Sequence, residues 1–572
     1  MKTGNSFVLL VLGAVVAVAC TSGETDGRSD GLTGSEWSGV IAIVNAEVYT
    51  LDPDEPWAEA FAFDEQGVIV AVGSEVEVLD LAGDEATVVD IGGNLVLPGF
   101  QDAHVHVPEA GINLEVCFLP GGLSIDDYED LAVECAEEQQ GSGWVRAVGA
   151  SLFDLGDTDE SPLTVLDRAI PGRPAIVLDD LGHAVWTNSL GLEAAGIGPD
   201  DLDPQGGVFH RDPSGNLTGL LLEDAQQLVR NAAAPDDETN YRGLLVAMEE
   251  LAANGITAVS DAGGFWGQNH PAAWQRAQAE GTLTVRAANS LYLYPDLPMD
   301  TQLAEFEQRF ANESEMLRFD TAKIYLDGIL DLGTASLLRP YDTPVDIDHP
   351  SGFSYFQADQ LITYVNELHT IGYRINFHAI GDKAVRDALD AVEAIDDDPE
   401  AIADRRHRTT HNYLVDPTDL PRFTDLGIIA DLQHSEDAVA TDYHEFLSEF
   451  IGDRAFDLIP TAQLIDAEAT VIMSSDWDAG PLPPLGTIER ALTRDANAVL
   501  DLETAIAMHT IDAAYALGHD DITGSIEMGK LADFVVLDQH ILEIKVEQIG
   551  DTSVLMTVVG GRNVYQAPGF SP

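Results

Sequence analysis

Lysine is nearly missing from this chain: its 572 residues hold five, at positions 2, 323, 383, 530 and 545. With arginine included, 27 bases face 99 acids, a formal net charge of −72. A surface of that sign repels polyphosphate chains and anionic headgroups, so nucleic acid and charge-driven membrane adhesion are excluded for the folded body. The acids are spread along the chain rather than massed in one block, and read as a solvated coat suited to salty surroundings. Cysteine is scarce too, at three residues, and the apolar run at 7–19 is thirteen residues long, too short to cross a bilayer as a helix. The apolar fraction of 45% is nonetheless that of a globular protein, and the length allows a large core with additions.

The short run suits the core of an exported leader. Lys2 precedes "FVLLVLGAVVAVA", and Cys20 follows it. "AVAC" resembles the lipobox of bacterial lipoproteins, with Ala17 where Leu is usual, which implies a signal peptide over 1–20 and lipidation of Cys20. Residues 21–37 then read as a flexible tether. The expected location is extracytoplasmic, on the periplasmic or outer-membrane face of a bacterial membrane, with the anchor at Cys20 as the only membrane contact. Export makes Cys117 and Cys135 candidates for a disulfide. A small molecule is the expected partner, and self-association as a homodimer stays open.

Residues 38–95 are built from short β runs, such as "GVIAIVNAEVYTLD", and residues 518–572 share that character in "ADFVVLD" and "VLMTVVGGRNVYQ". The two ends are expected to pair into one small β-sandwich. Between them, over 96–517, eight strand-like runs mostly alternate with helical stretches, from "LVLPGFQDAHVH" to "VIMSSDWD". That pattern favours an α/β fold of the (β/α)8, TIM-like barrel kind over a doubly wound sheet. Runs one and two lie far apart, so the segment at about 107–240, rich in Gly, Asp and Pro, is expected as an insertion over the barrel mouth.

In such a barrel, chemistry sits at the C-terminal strand ends. Those ends carry His104, His106, Lys323, His378, His411 and Asp476. His104 and His106 are two apart on a strand, so both imidazoles face the same way and can share one cation. Lys323 stands in "DTAKIYLDG", an apolar setting that ordinarily excludes a charge. The alternative there is a buried lysine paired with Asp327 or another carboxylate.

"LPGFQDAHVH", "KIYLDG", "HAIGDKAV", "RHRTTH", "SSDWD" and "GSIEMGKLADFVVLD" together resemble the amidohydrolase superfamily, in its amidohydrolase-3 branch of N-substituted formamide deformylase-like enzymes. The resemblance runs from about 40 to 565 and implies a metal-containing (β/α)8 barrel with a β-sandwich from both chain ends. It implies two divalent ions, by default zinc, with iron, manganese and nickel as alternatives. One would be held by His104, His106, Lys323 and Asp476, the other by Lys323, His378 and His411. Lys323 would be carboxylated by CO2, since burial favours the neutral amine that reacts.

The implied activity is hydrolysis of a C–N bond, in an amide, formamide or cyclic amide rather than a peptide, by metal-activated hydroxide with Asp476 as proton shuttle. Esters or other carbonyl substrates in the same site, or a non-catalytic metal-containing binding lipoprotein, are the alternatives. His183 in "GHAVWTNS" would donate to the substrate carbonyl or anchor the insertion, and Trp186 would line the pocket or pack. Asp102 and Asp327 would orient ligands, and Asp382 would cap the helix after it. Where relatives read Arg-His-Arg-Ile-Glu-His, this chain has Thr409 and Thr410 before His411. Where they read Gln-Pro-x-His, it has Gln433, His434, Ser435 and Glu436, so a substrate contact is expected to pass to Glu436.

Overall fold

The computed structural model describes residues 37, 39–156, 158, 160–345, 349–494, 496–499 and 501–572. The leader, Cys20 and the tether as far as residue 36 lie outside the described residues. The rest falls into two compact units: Glu115–Ala234, and Pro235–Pro572 together with the residues up to Leu114.

The larger unit holds the eight runs as eight parallel strands, each hydrogen-bonded to the next in chain order. They are Phe100–Val105, Ile256–Asp261, Arg286–Tyr292, Leu317–Tyr325, Arg374–Ala379, Arg408–His411, Ile429–Leu432 and Val471–Met473. Covered on both faces, these strands are buried almost throughout, which is why they read as apolar runs rather than alternations. A parallel bridge between Val105 and Trp477 closes the first strand onto the last. His106 N–H donates to Trp477 O (2.6 Å) and Asp476 N–H to His104 O (2.9 Å). The fold is thus a (β/α)8 barrel.

Its helices follow from local rules. Asp382–Glu393 buries Ala384, Val385, Ala388, Leu389 and Val392, one stripe at three- and four-residue spacing. Asp236 caps Asp237–Ala253 by accepting the Thr239 N–H at 2.8 Å.

Both chain ends meet in a sandwich. A four-stranded sheet (Ile69–Gly73, Ala60–Phe63, Ile41–Val44, Thr87–Asp90) faces a six-stranded one in which Leu95–Pro98 pairs antiparallel with Phe534–Leu537. Ile43, Phe61, Phe63, Val96, Phe534 and Met556 fill the space between, with Phe61 edge-on to Phe534 at 5.0 Å. Because Leu95–Pro98 belongs to this sheet, the barrel begins at Gly99 rather than at 96. A side chain at 99 would come within 2.2 Å of Thr257 on the second barrel strand, so the chain crosses between layers at a residue without one.

The insertion is narrower than 107–240. Val107–Asn113 is a barrel helix lying against Asp237–Ala253, where a Cβ at Gly111 would sit 1.9 Å from Gly243 O. Glu115–Ala234 is more ordered than its composition suggests, with a six-stranded mixed sheet and its own core around Val185, Leu221 and Val229. A disulfide joins Cys117 to Cys135 within it, Cα atoms 5.9 Å apart.

A buried ion pair ties barrel to sandwich: Arg286 Nε and Nη2 donate to Asp533 Oδ2 (2.6 Å) and Oδ1 (3.0 Å), with both side chains out of solvent. Removing one partner strands the other charge, so Arg286→Met is expected to destabilise the protein by about 3–5 kcal/mol. A urea-unfolding midpoint equal to that of the wild type would contradict this.

Candidate metal centre

Alternation along the first barrel strand turns Asp102, His104 and His106 to one face. Gly263, just past the second strand, leaves room for His106; a Cβ there would lie 2.6 Å from its Nδ1. Asp476 enters from beyond the eighth strand with a left-handed backbone (φ 57°), steadied by its N–H on His104 O. Its Oδ1 lies 3.2 Å from His104 Nε2 and 3.3 Å from His106 Nε2. The ligand atoms of these three residues fall within 4.8 Å of one another, a spacing that suits a single cation.

The other three residues converge on the same point. Lys323, fully buried, places Nζ 3.2 Å from His104 Nε2 and 4.9 Å from the Tyr325 ring centre. His411 Nδ1 is 3.8 Å from Asp476 Oδ2, and its ring is 4.4 Å from that of His378. Tyr325 stacks on His378 at 4.3 Å, fixing the plane of that imidazole. All six side chains singled out at the strand ends therefore meet in one cluster.

Burial pushes the Lys323 amine down to about 7, although the Asp476 charge opposes it. The alternative pairing with Asp327 is not what the structure has. Asp327 instead accepts three backbone N–H groups, from Ile380 (3.0 Å), Gly381 (2.9 Å) and Ser336 (2.8 Å), tying together the loops after strands four and five. Burial, then the Lys323 charge, drives His104 well below the ordinary imidazole range and keeps it neutral. Burial acts the same way on His106, but the hydrogen bond and charge of Asp476 outweigh it and raise its pKa. Asp476 stays well below the carboxylate range, since the adjacent imidazoles more than offset burial. Asp102, pushed up to about 7 by burial, accepts the His104 N–H (3.1 Å) and the Ser475 N–H (3.2 Å).

The remaining expectations fall elsewhere. His183, in the Glu115–Ala234 unit, has Nδ1 2.6 Å from the buried carboxylate of Glu223, a partner with no signal in the sequence. Trp186 packs rather than lines a pocket: it is buried, its Nε1–H donates to Pro162 O at 3.0 Å, and Tyr128 meets it edge-on. Glu436 is exposed at the start of a short helix, 3.9 Å from Arg490. His434 is buried against Thr461 Oγ1 at 3.0 Å. Asp382 is the first residue of its helix, and its carboxylate takes the Leu338 N–H (2.8 Å), so it joins two loops instead of capping.

Sequence reasoning noted Thr410 only as a departure and passed over Tyr325, Asn376 and Asp431; Asn376, Thr410 and Asp431 are fully buried in the barrel strands. Asn376 lies two residues before His378 on strand five, so strand periodicity was the available signal for it; Thr410, one residue before His411, shares its side only because His411 leaves strand geometry at φ 79°.

Imidazole and carboxylate donors gathered in a buried pocket fit zinc, iron or manganese. Residues 87–565 match the model of the amidohydrolase family. The chain belongs to the amidohydrolase family. It is 28% identical to N-substituted formamide deformylase of Arthrobacter pascens, over 92% of this chain and 99% of that protein. It is 27% identical to Protein LONG AFTER FAR-RED 3 of Arabidopsis thaliana, over 92% of each. Among solved structures, an uncharacterized metal-dependent hydrolase of Pyrococcus horikoshii superposes with a TM-score of 0.71 at 22% identity, covering 89% of this chain and 99% of that one.

Gly263→Ala tests the packing of the centre. The added methyl displaces the His106 ring, and retained metal is expected to fall roughly tenfold or more with the thermal midpoint little changed. Unaltered metal content would show that His106 does not depend on that space.

Proposed function

We propose that this protein is a metal-dependent hydrolase that cleaves C–N bonds outside peptides, in N-formyl or N-acyl amines or cyclic amides. The observation that carries the proposal is the convergence of His104, His106 and His411 on the Asp476 carboxylate, with Lys323 against His104 and His378 against His411, at the C-terminal mouth of the barrel. The 28% relative named a formamide deformylase, aligned over nearly its whole length, supports the choice of bond.

His104, His106 and Asp476 would hold one ion, His378 and His411 a second, with Lys323 between them. The ions would supply Lewis acidity, acidifying water and polarising a carbonyl. Lys323, whose pKa burial lowers to about 7, would add CO2 in its neutral form: its nitrogen bonds the carbon, one proton leaves, and the side chain becomes an anion that suits cations. Asp476 would take the proton of the attacking water on a carboxylate oxygen and return it to the departing nitrogen. Its left-handed backbone and its bond to His104 O fix where those oxygens point. We also propose an extracytoplasmic site of action, with the chain tethered through Cys20.

Protein prepared without chelators and supplied with zinc, manganese or iron is expected to hydrolyse members of a panel of N-formyl and N-acyl amines. Asp476→Asn should lower turnover by about 10²–10⁴-fold while largely retaining metal. Full activity of that variant would remove Asp476 from the mechanism. Cleavage of esters alone would overturn the C–N assignment, and metal uptake without any product would favour a binding role.

A further inference from the structure

Below His104 a line of buried polar side chains crosses the barrel interior. Asn376 on strand five has Nδ2 3.4 Å from His104 Nδ1. Thr410 on strand six donates from Oγ1 to Asn376 Oδ1, and the same Oγ1 lies 3.5 Å from Asp431 Oδ2 on strand seven. Thr410 and Asp431 are directly paired across the sheet. Ser474 donates to Asp431 Oδ1 at 2.6 Å, and Arg408 Nε is 3.9 Å from Asp431 Oδ2, so a hydroxyl and a guanidinium face the carboxylate at the far end of the line. His104, Asn376, Thr410 and Asp431 are all fully buried, so solvent does not complete their hydrogen bonds.

A neutral imidazole has one ring proton, and only its other nitrogen can bind a cation. His104 Nε2 is the nitrogen facing Asp476, so a cation there requires the proton on Nδ1 and an acceptor opposite it. The Lys323 amine and Asn376 both lie 3.4 Å from Nδ1, and of the two Asn376 can present a carboxamide oxygen as that acceptor. Turning its carboxamide over brings Oδ1 to His104, Nδ2 then donates to Thr410 Oγ1, and the hydroxyl hydrogen swings to Asp431. Amide, hydroxyl and carboxylate are the groups that permit this reversal while keeping each link of the line hydrogen-bonded.

We propose that Asn376, oriented by Thr410 and Asp431, is a positioning residue that accepts the His104 Nδ1 proton and so leaves Nε2 open to the cation. The inference rests on the metal-dependent reading above. It is tested by zinc affinity in chelator competition and by the absorption spectrum of the cobalt-loaded protein, for wild type, Asn376→Leu, Asn376→Asp and Thr410→Val. Asn376→Leu, which offers no acceptor, is expected to bind about 10–100-fold more weakly with an altered cobalt spectrum. Thr410→Val should weaken binding in the same direction, whereas Asn376→Asp, which accepts but cannot donate, should stay within a few-fold of wild type.

Wild-type affinity and spectrum in Asn376→Leu would overturn the relay alone. So would Asn376→Asp binding no better than Asn376→Leu. Should Asn376→Leu fail to fold, the order of the other two variants decides, and Thr410→Val binding more tightly than Asn376→Asp overturns the proposal. A wild-type protein that takes up neither zinc nor cobalt overturns the metal-dependent reading and the relay together.

Discussion

The site depends on how the barrel closes. The first and last strands meet through backbone bonds between His104 and Asp476 and between His106 and Trp477, and these bonds involve the ligand residues themselves. Sheet closure and ligand placement are therefore one event: pairing the strands sets Asp476 against the two imidazoles. The chain brings together segments 373 positions apart, as in the Ser475 N–H to Asp102 bond, and the cost of that ordering is met by a continuous parallel sheet. Asp476 and His411 both carry positive φ (57° and 79°), a conformation that costs on the order of 1–3 kcal/mol each and persists where surrounding bonds overdetermine it. The two strained residues face each other at 3.8 Å, where strand six ends and just beyond strand eight.

Charge is partitioned to match. The acids that make up the net −72 are a coat, whereas three cations, Lys323, Arg286 and Arg408, lie fully or almost fully buried in the barrel strands. Each has a different remedy for lost hydration. Arg286 has a bidentate carboxylate. Arg408 donates to Ala103 O and Ser260 Oγ beside Asp431. Lys323 has no such anchor and is instead driven toward its neutral form. An arginine cannot lose its proton and a lysine can, which explains the residue type at each position.

The barrel was legible because its strands are buried on both faces, and because five of the eight end in candidate ligand residues, so apolar runs and chemistry coincided there. The sandwich was legible for a similar reason, as short β runs at both ends. Less could be read where structure depends on contacts distant in sequence. Val107–Asn113 looked like part of the insertion because its helix is defined by the fit of Gly111 against Gly243, far along the chain. The mixed sheet of the insertion was hidden by its Gly, Asp and Pro content, since its strands are short and its hairpins need those residues. Asp382 had the look of a cap, but its partner, Leu338 N–H, comes from the loop after another strand. Trp186, next to a family-like motif, is held by its neighbours in the insertion's own core.

The departure at Thr410 shows how a site can keep its ligands while its support changes. Thr410 stands on strand six, one residue before His411. Here that position is a hydroxyl, and the carboxylate stands on the residue paired with it across the sheet, Asp431 of strand seven. That charge lies in the same layer of the barrel as Thr410, beside Arg408. The arrangement is physically sound because a buried guanidinium needs an anion nearby more than it needs one from a particular strand. It also leaves a hydroxyl, which can donate or accept, between that anion and Asn376, where a carboxylate could only accept from the amide. Thr410 thus gives the interior a hydroxyl placed to donate either to Asn376, as it does here, or to Asp431.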